Sequence, residues 1–260
     1  MGSLERLMGR TMLIVAHPDD ETIGCGALLQ RMREPVVVFL TDGAPRDSYF
    51  WSAYGSRDRY AEIRAAEARN ALHRIGVADL FFLHTDGGAI PDQELYLNLH
   101  LAYAGLAELI TQVRPEALLS SSYEGGHPDH DACCFLASVL SSEMRVPAWE
   151  LPLYHRRGGL VEIQKFLRAS GEETRIISSG DELLLKRAMM GAYESQHDTL
   201  RHFSAEVEVF RPMSRHDFSR PPHAGKLNYE IWGWTMTGQD LCEAFASFQK
   251  NLERQNRNAG

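Results

Sequence analysis

LIVAHPDDETIGCGA, residues 13–27, runs from an apolar stretch straight into a histidine and three carboxylates, His17, Asp19, Asp20 and Glu21. The run that leads into it, TMLIVAH (11–17), has no polar alternation, the pattern of a strand covered on both faces. The same style recurs in PVVVFLTDG (35–43), ADLFFLH (78–84) and EALLSSS (116–122), with WELPLYH (149–155) as a fifth candidate. Helical stretches lie between them at about 22–33, 57–75, 93–114 and 129–143. Strand, helix, strand at this rhythm predicts an α/β chain with a Rossmann-like, doubly wound, mainly parallel sheet and helices on both faces. Sheets of this kind bind ligands at the carboxyl ends of their strands. His17, Asp42, His84 and Ser122 all fall at such ends, so the crowded charge sits where a site is expected.

The chain has 260 residues, 44% of them hydrophobic, enough for one substantial core. We expect a single domain over 1–260, with a core at about 11–155 and a C-terminal cap at about 156–260. Within the cap, LVEIQKF and TRIISS suggest short strands, DELLLKRAMMGAYESQ (181–196) a helix, and the stretch from about 238 another helix. The net charge is −8 with both signs dispersed, which argues against nucleic acid or an anionic membrane as partner. The beginning, MGSLERLMGR, lacks the apolar core of a secretory signal, and no apolar run has the length of a membrane span. Four cysteines without CxxC spacing fit reduced, buried thiols in a cytoplasmic protein. Oligomeric state has no signature in the sequence.

A strand followed by glycines raises the question of a dinucleotide turn. Gly24 and Gly26 form a lone GxG, and Asp19, Asp20 and Glu21 would repel a pyrophosphate. Adjacent carboxylates beside a histidine instead make sense around a divalent cation, which turns their repulsion into coordination. One tight turn brings His17 and Asp20 to a single ion and leaves Asp19 free as a base. A second strand end, SSSYEGGHPDHDA (120–132), repeats the signature with His127, Pro128, Asp129 and His130. Either stretch alone reads as a helix start with a capping acid. Two of them, at two strand ends of one sheet, point to a shared metal. His17, Asp20 and His130 supply two imidazoles and a carboxylate with a position left for water, the donor set of a catalytic zinc.

With AHPDDE at 16–21, RAAE at 64–67 and HPDH at 127–130, the chain resembles the PIG-L/LmbE-like family of zinc-dependent de-N-acetylases. The resemblance covers about residues 11–143, with a weaker echo in KRAMMGAYESQ (186–196). It implies Zn²⁺ on His17, Asp20 and His130, with Asp19 as general base. It further implies His127 as second catalytic imidazole, Asp129 as its orienting neighbour, and Arg64 as a substrate-binding residue on sugar hydroxyls. The implied reaction is removal of acetyl from a small-molecule N-acetylglucosamine-type glycoside or glycoconjugate. A thiol-conjugate amidase with the same metal site is the variant. A non-haem iron oxygenase and a catalytically inactive carbohydrate-binding protein are the rivals. Tyr123 and Tyr154 are candidate oxyanion donors or packing residues. His84 and Asp86, Asp42–Gly43, His223 and the Trp232–Trp234 pair are candidate pocket residues with ordinary structural alternatives. Cys133 and Cys134 are expected to pack inside.

Overall fold

The computed structural model describes residues 4–85 and 88–259. Two strands and two helices alternate first: β1 (Thr11–Val15), α1 (Asp20–Arg31), β2 (Val36–Phe39) and α2 (Arg57–His73). Next come β3 (Asp79–Phe82) and a small hairpin of β4 (His84–Thr85) and β5 (Gly88–Ala89). They are followed by α3 (Leu99–Val113), β6 (Ala117–Ser121), α4 (Pro128–Met144) and β7 (Ala148–Leu151). The remaining strands are β8 (Tyr154–Arg157), β9 (Leu160–Ile163), β10 (Thr174–Ile177) and β11 (Val207–Pro212). The remaining helices are α5 (Gly180–Met190), α6 (His197–Leu200), α7 (Asn228–Ile231) and α8 (Gly238–Ala259).

Seven strands form one sheet in the order β10-β11-β7-β6-β1-β2-β3. The five from β7 to β3 are parallel, and β11 and β10 close one edge antiparallel. Every residue of β1, β2 and β6 is buried, as their continuous apolar runs require. Alternate β1 residues enter opposite cores. Met12 and Ile14 pack with α3, α4 and α8, whereas Leu13 and Val15 pack with α1 and α2. The sheet is therefore covered by helices on both faces, as expected. From β1 the chain winds outward through β2 to β3, then returns to place β6 on the other side of β1. The strand order reverses between β1 and β6, and a doubly wound sheet has its crevice at that point. The HPDDE and HPDH stretches leave these two neighbouring strands.

The structure corrects three boundaries. WELPLYH is two strands, because Pro152 has no N–H to continue a ladder. The amides of Leu153 and Tyr154 turn instead to the buried Glu124 carboxylate, at 2.8 and 2.9 Å, and β8 pairs with β9 in a separate hairpin. The helix expected from 93 begins at Leu99. The amides of Gln93 and Leu95 are drawn to the Asp129 carboxylate, at 2.6 and 3.0 Å, and Gln93 has φ 73°, which excludes a helix there. The helix expected to reach 196 ends at Met190 before Gly191, and a 3-10 turn follows at Glu194–Gln196. The region expected to cap the core also extends the main sheet, through β10 and β11.

Candidate metal centre and active site

His17, Asp19, Asp20, His127, Asp129, His130 and Arg64 are all buried in one cluster at the carboxyl edge. Asp20 opens α1 and turns back, its Oδ2 accepting the His17 amide at 2.8 Å. That oxygen lies 3.4 Å from His17 Nδ1, and Asp20 Oδ1 lies 3.1 Å from His130 Nε2. One carboxylate thus bridges the two imidazoles. Burial pushes the Asp20 carboxyl up, but His130 and His17 outweigh it and hold the group well below the usual range. His127 caps α4 through Nδ1, which accepts the Asp129 amide at 3.1 Å. The neutral ring therefore carries its proton on Nε2. Asp129 takes two loop amides and places Oδ2 3.2 Å from His17 Nε2.

Asp92 is a member of the cluster that the sequence reading missed. Its Oδ1 is 3.2 Å from His17 Nε2 and 3.3 Å from His127 Nε2. The carboxyl is held low by those imidazoles against its own burial. A single aspartate in a PDQ loop has no periodic or motif signal. The one hint was its place after the third strand, at the edge where ligands bind.

Asp19 has φ 133°, a conformation that costs an L-residue of order 1–3 kcal/mol. Two contacts impose it. The Asp19 amide donates to Glu21 Oε2 at 3.0 Å, and the side chain meets Arg64 Nη2 at 2.8 Å. Burial lifts its carboxyl to about 7, with Arg64 pulling the other way. Arg64, expected on sugar hydroxyls, also donates to the Pro18 carbonyl at 2.7 Å and to that of Gly43. Its terminal nitrogens are engaged with protein, and its structural effect is to aim Asp19.

The KRAMMGAYESQ stretch braces this arrangement. Tyr193 donates to Glu21, and Ser195 binds Glu67 of the RAAE stretch through its amide at 2.8 Å and its hydroxyl at 2.6 Å. Gln196 donates to the Tyr60 hydroxyl at 2.6 Å. Lys186 reaches under α1 to Glu208 at 2.7 Å. Glu208 in turn accepts the Ala27 and Leu28 amides where α1 breaks at Cys25.

A cavity of about 180 Å³ opens on the cluster, walled by Tyr154, Phe203, Trp232 and Trp234 among others. The Trp234 ring is 5.0 Å from His127, and Tyr154 is 5.4 Å from His130. Trp232 is 47% exposed, a pocket-rim residue and not core. Tyr123 packs against Phe218 and Phe245. His84 is exposed and outside the lining, and Asp86 lies outside the described residues. Asp42 and Gly43 form a turn closed by Arg57. His223 lines other depressions. All four cysteines are free and buried.

The cluster fits a cation. His130 Nδ1 is buried without a partner, and His130 Nε2 and Asp92 Oδ1 face buried ion-pair partners without a well-aligned hydrogen bond, although such groups are nearly always satisfied. Donor atoms of His17, His127 and His130 lie within 4.8 Å of one another, as do those of His17, Asp92, His127 and Asp129. Cys134, Glu150 and His216 form another such group. There Glu150 is already saturated by Arg211 and His216, each at 2.6 Å, and by the Ser122 hydroxyl.

The family model PIG-L, described as GlcNAc-PI de-N-acetylase, matches residues 12–140. The chain belongs to the PIG-L family. The matched span runs from β1 into α4 and includes every residue of the PIG-L cluster described above. A 1D-myo-inositol 2-acetamido-2-deoxy-alpha-D-glucopyranoside deacetylase of Nocardioides sp. is 29% identical over 198 residues, 64% of each chain. A protein of that name from Catenulispora acidiphila, numbered 1, is 32% identical over 145 residues, 46% of this chain and 44% of the relative. The chain thus spans less than two thirds of the length of these relatives. Among solved structures, a deacetylase triple mutant of the teicoplanin biosynthetic pathway superposes with a TM-score of 0.62 at 21% identity. That match covers 80% of this chain and 99% of the other and shows a shared fold. Among the described residues no helix is long and apolar enough to cross a membrane.

Proposed function

We propose that the chain is a metal-dependent amide hydrolase that removes acetyl from an N-acetylglucosamine-type glycoside or glycoconjugate. The observation that carries this reading is the convergence of two buried imidazoles on one carboxylate, His130 Nε2 at 3.1 Å and His17 Nδ1 at 3.4 Å from Asp20, beside an Asp19 fixed in a costly conformation. The relatives' names supply the substrate class. In this reading His17, Asp20 and His130 hold the cation, with Asp92 and Asp129 alongside, and zinc suits that donor set. A divalent cation there acidifies water and polarises the acetamide carbonyl.

The chain's own residues do the rest. Asp19, aimed by Arg64, accepts the proton of the attacking water and returns it to the departing amine, so that acetate and a free amine leave. His127 presents Nε2–H, because its Nδ1 is taken by the Asp129 amide, and donates to the carbonyl oxygen as negative charge develops. Trp232 and Trp234 offer an aromatic wall to the sugar ring. Asp19→Asn should keep the metal and lose at least ~100-fold in acetate release, whereas His130→Ala should lose metal. An Asp19→Asn variant with full activity would falsify the base assignment.

A further inference from the structure

At the end of β8 lies a second depression of about 470 Å³. Five basic side chains line it: Arg156, Arg157, Arg168, His223 and Lys226, with no carboxylate. In a chain of net charge −8 this is a strong local reversal. Among the described residues, none of the three arginines nor Lys226 forms an ion pair with an acidic side chain. Like charges gathered without counter-charge repel each other, and such an arrangement is resolved by a bound anion.

Two details mark the depression as built. Arg156 is pinned, its Nε donating to the buried Asn228 Oδ1 at 3.2 Å and Nη1 to the Gly159 carbonyl at 2.6 Å. His223 has Nδ1 2.9 Å from the Ala224 carbonyl, while Nε2 is buried without a partner.

The depression also adjoins the catalytic cavity. Tyr154 and Arg156 are two residues apart on β8, and Ile231 and Trp232 are consecutive. The first of each pair or the second lines one space and its companion the other. The Tyr154 and Trp232 rings, 6.1 Å apart, stand at the boundary. Asn228, which pins Arg156, also donates to the Gly126 carbonyl at 3.3 Å, beside His127. An aglycone that passed the Tyr154–Trp232 boundary would meet the arginines.

We propose that this basic depression is the aglycone subsite and selects substrates whose aglycone carries an anionic oxygen group, a carboxylate or a phosphate. The proposal rests on the deacetylase reading for the sugar itself. Arginine forks and a lysine ammonium are suited to such groups, and exposure makes the recognition salt-sensitive.

The test uses two isosteric probes, 4-carboxyphenyl and 4-carbamoylphenyl N-acetylglucosaminide, with binding measured by calorimetry and acetate release measured separately on the metal-loaded protein. The wild type should bind the carboxylate at least ~10-fold more tightly at low ionic strength, with the preference shrinking as salt rises. In Arg157→Ser/Arg168→Ser/Lys226→Ser, three exposed positions, the preference should fall to about twofold or less. Equal affinity for the two probes, no binding of the carboxylate at millimolar concentration, or a preference that survives in the triple variant overturns the subsite. A variant-sensitive preference without acetate release leaves the subsite standing and sinks the reaction. Equal binding with acetate release from both does the reverse.

Discussion

Arg64→Met removes a guanidinium that holds the Asp19 carboxylate at 2.8 Å, the Pro18 carbonyl at 2.7 Å and the Gly43 carbonyl, all away from water. Methionine keeps much of the stem's bulk and none of the donors. Stability should fall by about 3–5 kcal/mol, the usual consequence of removing one side of a buried pair. The more informative effect concerns the proton. Burial already lifts Asp19 to about 7 against the pull of Arg64. Loss of an opposite charge at hydrogen-bond distance raises a carboxyl by a further ~1–3 units. Asp19 acts as a base only when ionised, so the acidic limb of kcat/KM moves to higher pH. For a displacement of about two units, the rate below both limbs drops about 100-fold and recovers in alkali. A cation beside Asp20 lowers Asp19 in both proteins, so the quantity to compare is the distance between their profiles. Acetate release followed from pH 5 to 10, over roughly the range where these groups titrate, measures it. Coincident limbs, or a loss by one constant factor at every pH, would show that Arg64 does not set the ionisation of Asp19.

Four further outcomes test the scaffold around the site. Lys186→Met leaves Glu208 as an uncompensated buried charge and should cost about 3–5 kcal/mol in chemical denaturation, with Lys186→Met/Glu208→Gln recovering most of it. A single variant within about 1 kcal/mol of wild type would contradict this. Glu182 is held at about 2 by the Arg31 side chain and the Ser179 amide, below its ordinary 4.5. Its contribution is present above 4.5 and lost as pH falls toward 2. Glu182→Gln should therefore be less stable by about 1 kcal/mol at neutral pH, with a gap that closes on acidification; a gap that widens sinks the assignment. In Gly126→Ala the new Cβ would stand 1.8 Å from the Tyr154 carbonyl oxygen. That backbone clash should cost at least ~1–3 kcal/mol and weaken metal binding. Gly180→Ala, with nothing within 4 Å, should be neutral or slightly stabilising.

Much of this site was legible because its chemistry is concentrated where the chain leaves β1 and β6. A fully buried parallel strand must be apolar throughout, so HPDDE and HPDH stand out as abrupt changes of character. Their meeting follows from the strand order, since β6 returns to lie beside β1. Asp92 was not legible, because one aspartate in a loop gains its meaning only when β4 and β5 carry the chain back over His17 and His127. The role of Arg64 was half legible. The RAAE stretch placed it near the site, but its engagement with Asp19, Pro18 and Gly43 depends on the turn after β2. Likewise KRAMMGAYESQ gave no hint of its targets, because Glu21 on α1, Tyr60 and Glu67 on α2, and Glu208 on β11 come from three separate parts of the chain. The break at Pro152 could be anticipated from proline chemistry. The edge position of β10 and β11 could not, since antiparallel addition leaves no trace in the local pattern.

In the proposed function the His–Asp cluster holds a cation that this chain uses to hydrolyse an acetamide. The most direct test measures bound metal and acetate release together, on N-acetylglucosaminides, as purified, after chelation and after zinc is restored. Metal and acetate release should disappear together with the chelator and return together with about one zinc per chain. Full acetate release from protein shown to be metal-free, or none from protein shown to be zinc-loaded, would contradict this.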